Sequence, residues 1–335
     1  MRTEKKLLGQ PGGAATDPLF AWSTLEDYEL DDYLTALGRA FPELRMTLVR
    51  TPTGELSERL RRRDFGERAP DLVLGTAATV LCEPEIAGLL APVRIASAPA
   101  SGPEGRWVAA SGFRNAMAVN EAGLRARGLK VPETWAELAD PAYRGLIVFP
   151  DPAVSGAGAL ALASLAQVLG PDGAFAIVSG IVENVAHFSP SSWSCATAAL
   201  DPRTPVAVSV EIACLRLADR SEGVRVVVPE DASAVELEGF AMLSTAADPS
   251  MCERILSWVA SDAHRAIARK WRKVTLGSRA EAEGPLAGGS FTLDHDRAAR
   301  ERALLAARFA GLREKSARSK ADVSEPRSAR GGAES

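Results

Sequence analysis

Between Pro132 and Gly170 the chain reads PETWAELADPAYRGLIVFPDPAVSGAGALALASLAQVLG, and no other stretch restricts its fold as strongly. Pro132, Glu133 and Thr134 start a helix whose apolar face carries Trp135 and Leu138. Asp140-Pro141 turns the chain into a short buried strand, Leu146 to Phe149. A loop of small residues, Asp151 to Ser155, then opens directly into a long apolar helix from about Gly156 to Leu169. Helix N-termini carry unpaired N–H groups and partial positive charge. Ser155 is placed to cap that end, and Gly156 lets a ligand approach the main chain. This is the physics of a carboxylate, phosphate or phosphonate site.

The same alternation runs through the rest of the chain. Leu19 to Ser23 reads as a strand, and Asp27 to Ala40 as a helix with Leu30, Tyr33, Leu34 and Leu37 on one face. Met46 to Arg50 is a second strand, Glu55 to Arg63 a basic amphipathic helix, and Leu72 to Leu74 a buried strand. This β-α-β-α-β order predicts a parallel sheet covered by helices. Strands follow at Trp107–Ala110 and Ala116–Asn120, then helices at 156–169 and near Ala174–Ile181. Strand Val206–Val210 leads to a helix at Cys214–Arg220, and Val224–Val228 and Phe240–Leu243 are further strands. Helices at Asp248–Ser261, His264–Lys273 and Arg297–Arg313 close the fold. Residues 1–18 and 314–335 read as unfolded ends.

With 335 residues, 46% hydrophobic and 24% charged, the chain can bury two cores. A net charge of −4 argues against a nucleic-acid surface. No apolar run reads as a membrane span, and the start, MRTEKKLLGQPGGAATDP, has no apolar segment behind its basic residues. Cys82, Cys195, Cys214 and Cys252 lack CxxC spacing; free thiols are the simplest reading, with Cys195–Cys214 the pair to test for a disulfide. His187, His264 and His295 are far apart, so no metal and no cofactor is expected.

Candidate ligand contacts lie where strands hand over to helices, and each has a plain structural alternative. Thr53 and Gly54 follow a strand and open a helix, or form a simple turn. Gly75 and Thr76 end a buried strand, where open α/β sheets place ligand crevices, or make a tight turn. Ser155, Gly156 and Ala157 open the long helix; their loose GxGxxA pattern lacks the strand spacing and distant acid of a dinucleotide site. Ser191, Ser192 and Trp193 offer hydroxyls and an aromatic wall, or form an ordinary loop. Glu211, after the strand PVAVSV, suits a ligand ammonium or a helix cap. Glu236 and Glu238 read as surface charges, and Arg59, Arg61, Arg62 and Arg63 as a solvated helix face. No GxSxG, SxxK or cysteine near histidine suggests an active site.

Taken together, ALGRAFPELRMTLVRTPTGELSERL (36–60), APDLVLGTAATVL (69–81), the run from Met117 to Leu160, TPVAVSVEIACLRL (204–217), VRVVVPED (224–231) and CERILSWVASDAHR (252–265) resemble the periplasmic solute-binding proteins of ABC importers. The resemblance covers about Phe20 to Arg313 and lies nearest the ferric-iron, 2-aminoethylphosphonate and phosphoglycerate-type branch. It implies an α/β, two-lobed type II periplasmic-binding-protein fold. Each lobe is a mixed, mostly parallel sheet flanked by helices, and two hinge segments cross between them. The lobes are expected at 19–114 with 236–313, and at 115–235. The family's cleft motifs fall on the candidates named above. Ferric binders place paired tyrosines where this chain has Glu211-Ile212-Ala213-Cys214, so iron coordination is not expected, and the usual SGTG stands here as SGAG.

The function implied is capture of a small anionic organic solute, phosphonate-, phosphate-ester- or carboxylate-like, by a monomeric non-enzyme delivering to ABC permease subunits. The resemblance implies the periplasm; the N-terminus leaves the cytoplasm open. The rivals are a cytoplasmic ligand sensor on the same fold and an enzyme on the same scaffold, for which only Cys195, Cys214, His187 and Glu211 are available.

Overall fold

The computed structural model describes residues 4–8, 17–278, 281, 286 and 290–324. The chain begins β1 (Glu4–Leu8), β2 (Leu19–Ser23), α1 (Asp27–Ala40), β3 (Met46–Arg50), α2 (Thr53–Arg62) and β4 (Leu72–Ala77). Strand β2 pairs in parallel with both β3 and β4, which is the alternation read from the sequence. One face of α1, at Leu30, Tyr33, Leu34 and Leu37, packs on Leu48, Leu72 and Leu74. Strand β1 lies inside the 1–18 segment read as unfolded, and corrects that reading for its residues. It adds antiparallel to β3, seats Leu8 against the first core, and ties Lys6 to Asp31 at 2.6 Å. Residues 9–16 of that segment lie outside the described residues.

Short helices α3 (Ala78–Leu81) and α4 (Pro84–Ala87) and short strands β5 (Ala100–Ser101) and β6 (Val108–Ala109) lead to the long strand β7 (Ser111–Asn120). The second lobe follows: α5 (Glu121–Arg125), α6 (Trp135–Leu138), β8 (Ile147–Pro150), α7 (Gly156–Asn184), β9 (Val185–Ser189), α8 (Ser192–Thr197), β10 (Val206–Val210), α9 (Glu211–Ala218) and β11 (Val224–Val227). Strand β8 lies between β9 and β10, parallel to both, while β7 runs antiparallel to β10 and β11. The Thr134 capping box starts α6, and its Trp135 is fully buried against Phe149. Helix α7 joins the two helices expected at 156–169 and 174–181. By length and composition it could pass for a membrane span. Gly170, at φ 71°, followed by Pro171, breaks it, and its residues 160–166 are buried in the protein.

The chain returns through β12 (Ala234–Met242), α10 (Pro249–Val259), α11 (Asp262–Lys270), β13 (Val274–Thr275), β14 (Phe291–Thr292) and α12 (His295–Ser324). Strand β12 pairs with β4 in the first lobe and with β7 at Arg114–Val235 and Gly112–Leu237. The two long strands therefore pass side by side between the lobes. Helix α12 continues through 314–324, where an unfolded tail was read, because no Gly or Pro interrupts the chain between Gly311 and Pro326. Residues 325–335 lie outside the described residues. Nor does α12 belong to the first lobe alone: Leu305 and Phe309 enter the second lobe's core beside Phe149 and Phe188, while Arg302 pairs with Glu83 of the first lobe at 2.8 Å.

Candidate functional site

A cavity of about 360 Å³ lies between the lobes. The first lobe contributes Thr24, the starts of α1 and α2 and the end of β4; the second contributes the starts of α7, α8 and α9. Of the residues picked from sequence, Thr53, Gly75, Ala157, Ser192 and Trp193 line it. Gly75 sits at φ 64°, and a Cβ there would come within 2.5 Å of Leu25, so only glycine fits this strand end.

The starts of α2 and α7 meet from opposite lobes. A Cβ on Gly54 would lie 3.4 Å from the Val154 carbonyl oxygen, and one on Gly156 would lie 4.0 Å from Thr53 Oγ1. Neither helix has a side-chain cap. Ser155 occupies the capping position of α7, but its hydroxyl does not cap, which corrects the role given to it above. The leading N–H groups of both helices thus remain for another acceptor. Helix α9, which begins at the cavity, is likewise uncapped.

The remaining predicted contacts are placed differently. Thr76 is fully buried, with its hydroxyl unpartnered, outside the cavity lining. Ser191 caps α8, accepting from Ser194 N–H at 3.1 Å and donating to Ser194 Oγ at 2.8 Å. Gly156 lines a small void of about 30 Å³ behind the cavity. Glu211 accepts from Arg114 Nε at 2.8 Å and Nη2 at 2.9 Å, so its carboxylate is held by a guanidinium rather than offered to a ligand amine.

Sequence reading missed most of the charges in the cleft. Glu236 and Glu238, read as surface charges, are both buried because β12 is covered on both faces along its whole length. Glu236 accepts from Thr79 N–H and Oγ1. Glu238 accepts from Lys273 Nζ at 2.7 Å, and Lys273 also pairs with Glu29 at 2.5 Å. Burial works against charge on Lys273, yet Glu238 and Glu29 outweigh it and hold the ammonium well above its ordinary range. Burial lifts the Glu238 carboxyl despite Lys273. Glu26 pairs with Arg50 at 2.5 Å, and burial raises its carboxyl too. A charged pair within an otherwise apolar strand, AVELEGFAM, was the one sequence signal for this cluster.

Arg216 was also missed. It projects from α9 into the cleft, with its guanidinium carbon 3.8 Å from the Tyr28 ring centre, 5.0 Å from Trp271 and 5.9 Å from Trp193. The thiols stand apart from this chemistry. Cys195 and Cys214 are buried in one apolar cluster and free, with no disulfide, and burial pushes both up. His187 is exposed on β9.

Two α/β lobes joined by paired crossing strands, with helix starts facing one cavity, define a two-lobed solute-binding fold. Residues 88–281 match the family of bacterial extracellular solute-binding proteins, and the chain belongs to that family. No curated protein matches the sequence significantly. Among solved structures, the periplasmic binding protein AfuA from Actinobacillus pleuropneumoniae, with exogenous fructose-6-phosphate bound, is similar at TM-score 0.75 and 20% identity, over 89% of this chain and 98% of that one. The substrate-binding protein of an ABC transporter from Agrobacterium tumefaciens aligns at TM-score 0.78 and 16% identity, over 93% and 99%. Iron-bound HitA from Pseudomonas aeruginosa aligns at 0.72 and 17%, over 87% and 99%. At these identities the likeness speaks for the fold.

Proposed function

We propose that the protein is the binding component of an ABC importer and captures a small anionic organic solute, a phosphonate, phosphate ester or carboxylate, in the interlobe cleft. The observation that carries this reading is the meeting of two uncapped helix starts, α2 and α7, from opposite lobes at one cavity. An anion there accepts N–H groups from both and draws the lobes together. Thr53 and Ser192 add hydroxyls, and Trp193 covers the apolar part of the solute. The sugar phosphate named for AfuA fits this class. The iron named for HitA fits less well, since no group of three His, Cys, Asp or Glu side chains that could hold a metal occurs among the described residues.

We read the protein as a binder rather than an enzyme, because the candidate nucleophiles do not converge on the cleft: two thiols are buried elsewhere, His187 is exposed, and Glu211 is paired. Its partners are permease subunits outside the cytoplasm, in keeping with the family. Calorimetric titration with 2-aminoethylphosphonate, phosphoglycerate, fructose-6-phosphate and inorganic phosphate tests the reading. Saturable heat from at least one organic anion is expected; a folded protein giving none with all four would overturn it.

A further inference from the structure

We infer that Arg216 serves both as the residue that recognises the anion and as a latch that closes the two lobes. The recognition half rests on the anion-binding reading above; the latch half does not. Arg216 belongs to the second lobe, on α9, but its guanidinium lies over rings of the first. Tyr28 starts α1 and Trp271 ends α11, and their ring centres are 4.9 Å apart. The pair is fixed from behind, because Trp271 Nε1 donates to Asp32 at 2.8 Å. A guanidinium within about 6 Å of such faces is held by the ring quadrupoles. The contact therefore spans the cleft and exists only while the lobes are closed.

The same side chain has no counter-ion. Its Nε is buried without a hydrogen-bond partner, and no carboxylate pairs with it among the described residues. Acids are nevertheless close, since Glu26, Asp27, Glu29 and Glu238 line the same cavity. Glu26 is engaged by Arg50, Glu29 and Glu238 by Lys273, and Asp27 lies 3.6 Å from Arg50 rather than on Arg216. Arg216 is thus a cation fixed by stacking, with N–H donors left over, in a cavity that two uncapped helix starts also face. A planar fork of donors matches a carboxylate or phosphoryl group in a bidentate manner. The exposed cross-lobe pair Arg272–Asp219, at 3.1 Å, spans the same gap but is open to water and contributes little.

The test uses the full chain with Arg216→Ala, Arg216→Lys, Tyr28→Phe and Tyr28→Leu, measured by small-angle X-ray scattering without ligand and by calorimetry with the four anions. Arg216→Ala and Tyr28→Leu are expected to enlarge the radius of gyration. Tyr28→Phe keeps the ring face and is expected to match the parent. Should Arg216→Ala fail to fold, Arg216→Lys carries the test: it keeps the charge, loses the planar stack, and is expected to scatter as more open. Arg216→Ala is expected to weaken the best-bound anion by about 10- to 100-fold. Parent-like scattering from Arg216→Ala with native circular dichroism overturns the latch. Affinity within twofold of the parent overturns the recognition role. If no anion binds the parent, the anion reading and the recognition role fall together, and scattering alone decides the latch.

Discussion

The two walls of the cleft solve the same problem in opposite ways. The first lobe brings several charges to the cavity and satisfies them internally: Glu26 with Arg50, and Glu29 and Glu238 with Lys273. The second lobe brings helix starts without side-chain caps at α7 and α9, and Arg216, which has no carboxylate partner among the described residues. A wall that is complete by itself serves as scaffold, because its polar groups need nothing from outside. A wall left incomplete is where a ligand adds the missing acceptors, since buried donors without partners are costly. The binding energy is therefore expected to concentrate on the second lobe and on the start of α2 facing it, and the stability on the first.

The most severe way to break this contrast is at Lys273. Lys273→Met leaves Glu29 and Glu238 buried together without their shared cation. Removing one partner of such a cluster costs about 3–5 kcal/mol. Urea unfolding should show that loss, whereas Arg216→Ala should leave the unfolding midpoint nearly unchanged. Equal midpoints for Lys273→Met and the parent would mean that the first wall is no scaffold.

The first lobe's core holds a polar group that is not satisfied, and pH exposes it. His264 is fully buried in the first core between Tyr33, Phe240 and Trp258, with neither ring nitrogen partnered. Burial, then Lys273 and Arg265, lower it to about 3. Its unfolded value is near 6.5, so the folded state refuses a proton that the unfolded chain accepts. The stability it contributes is complete above pH 6.5 and is lost as pH falls from there toward 3, by about 1.4 kcal/mol per unit. The raised carboxyls of Glu26 and Glu238 act in the opposite sense, favouring the fold at lower pH. The readout is therefore the difference between the parent and His264→Phe. Between pH 7 and pH 5 the parent should lose about 2 kcal/mol relative to the variant. Parallel stability curves would show that His264 is charged or solvated in the fold.

How far the sequence reveals this molecule depends on whether a feature is local. Alternating strands and helices were legible because periodicity and capping are short-range, as in the Thr134 capping box and the four-residue face of α1. The starts of α2 and α7 were legible for the same reason, each being a strand, a turn and small residues in succession, whereas the start of α8 was read as a loop. Arg216, Tyr28 and Lys273 were not, because each acquires its role from a partner brought up by tertiary folding. Glu236 and Glu238 misled because charge in a strand suggests solvent, while β12 is covered on both sides and its acids are satisfied by Thr79 and Lys273. Glu211 misled in the other direction, since a strand-end carboxylate looks available until Arg114 is seen to hold it. Strand β1 and the last turns of α12 were hidden by polar composition, which hides structure wherever a few apolar contacts decide the fold.

The finest test of the contrast separates two threonines that the sequence treats alike. Thr53 lines the cavity at the start of α2, next to Gly156 of the opposite lobe. Thr76 is fully buried one residue beyond Gly75, paired in the sheet with Gly239, and outside the cavity lining. Valine replaces each side chain at nearly constant volume and deletes only the hydroxyl. Losing one hydrogen bond to a charged ligand weakens binding by about 3- to 10-fold, which is the effect expected for Thr53→Val. Thr76→Val should leave affinity within twofold, and stability unchanged or slightly higher, because its hydroxyl is buried without a partner. Calorimetry on the two variants with the best-bound anion decides between them. A larger loss at Thr76 than at Thr53 would move the solute away from the helix starts and deeper against the first lobe's sheet.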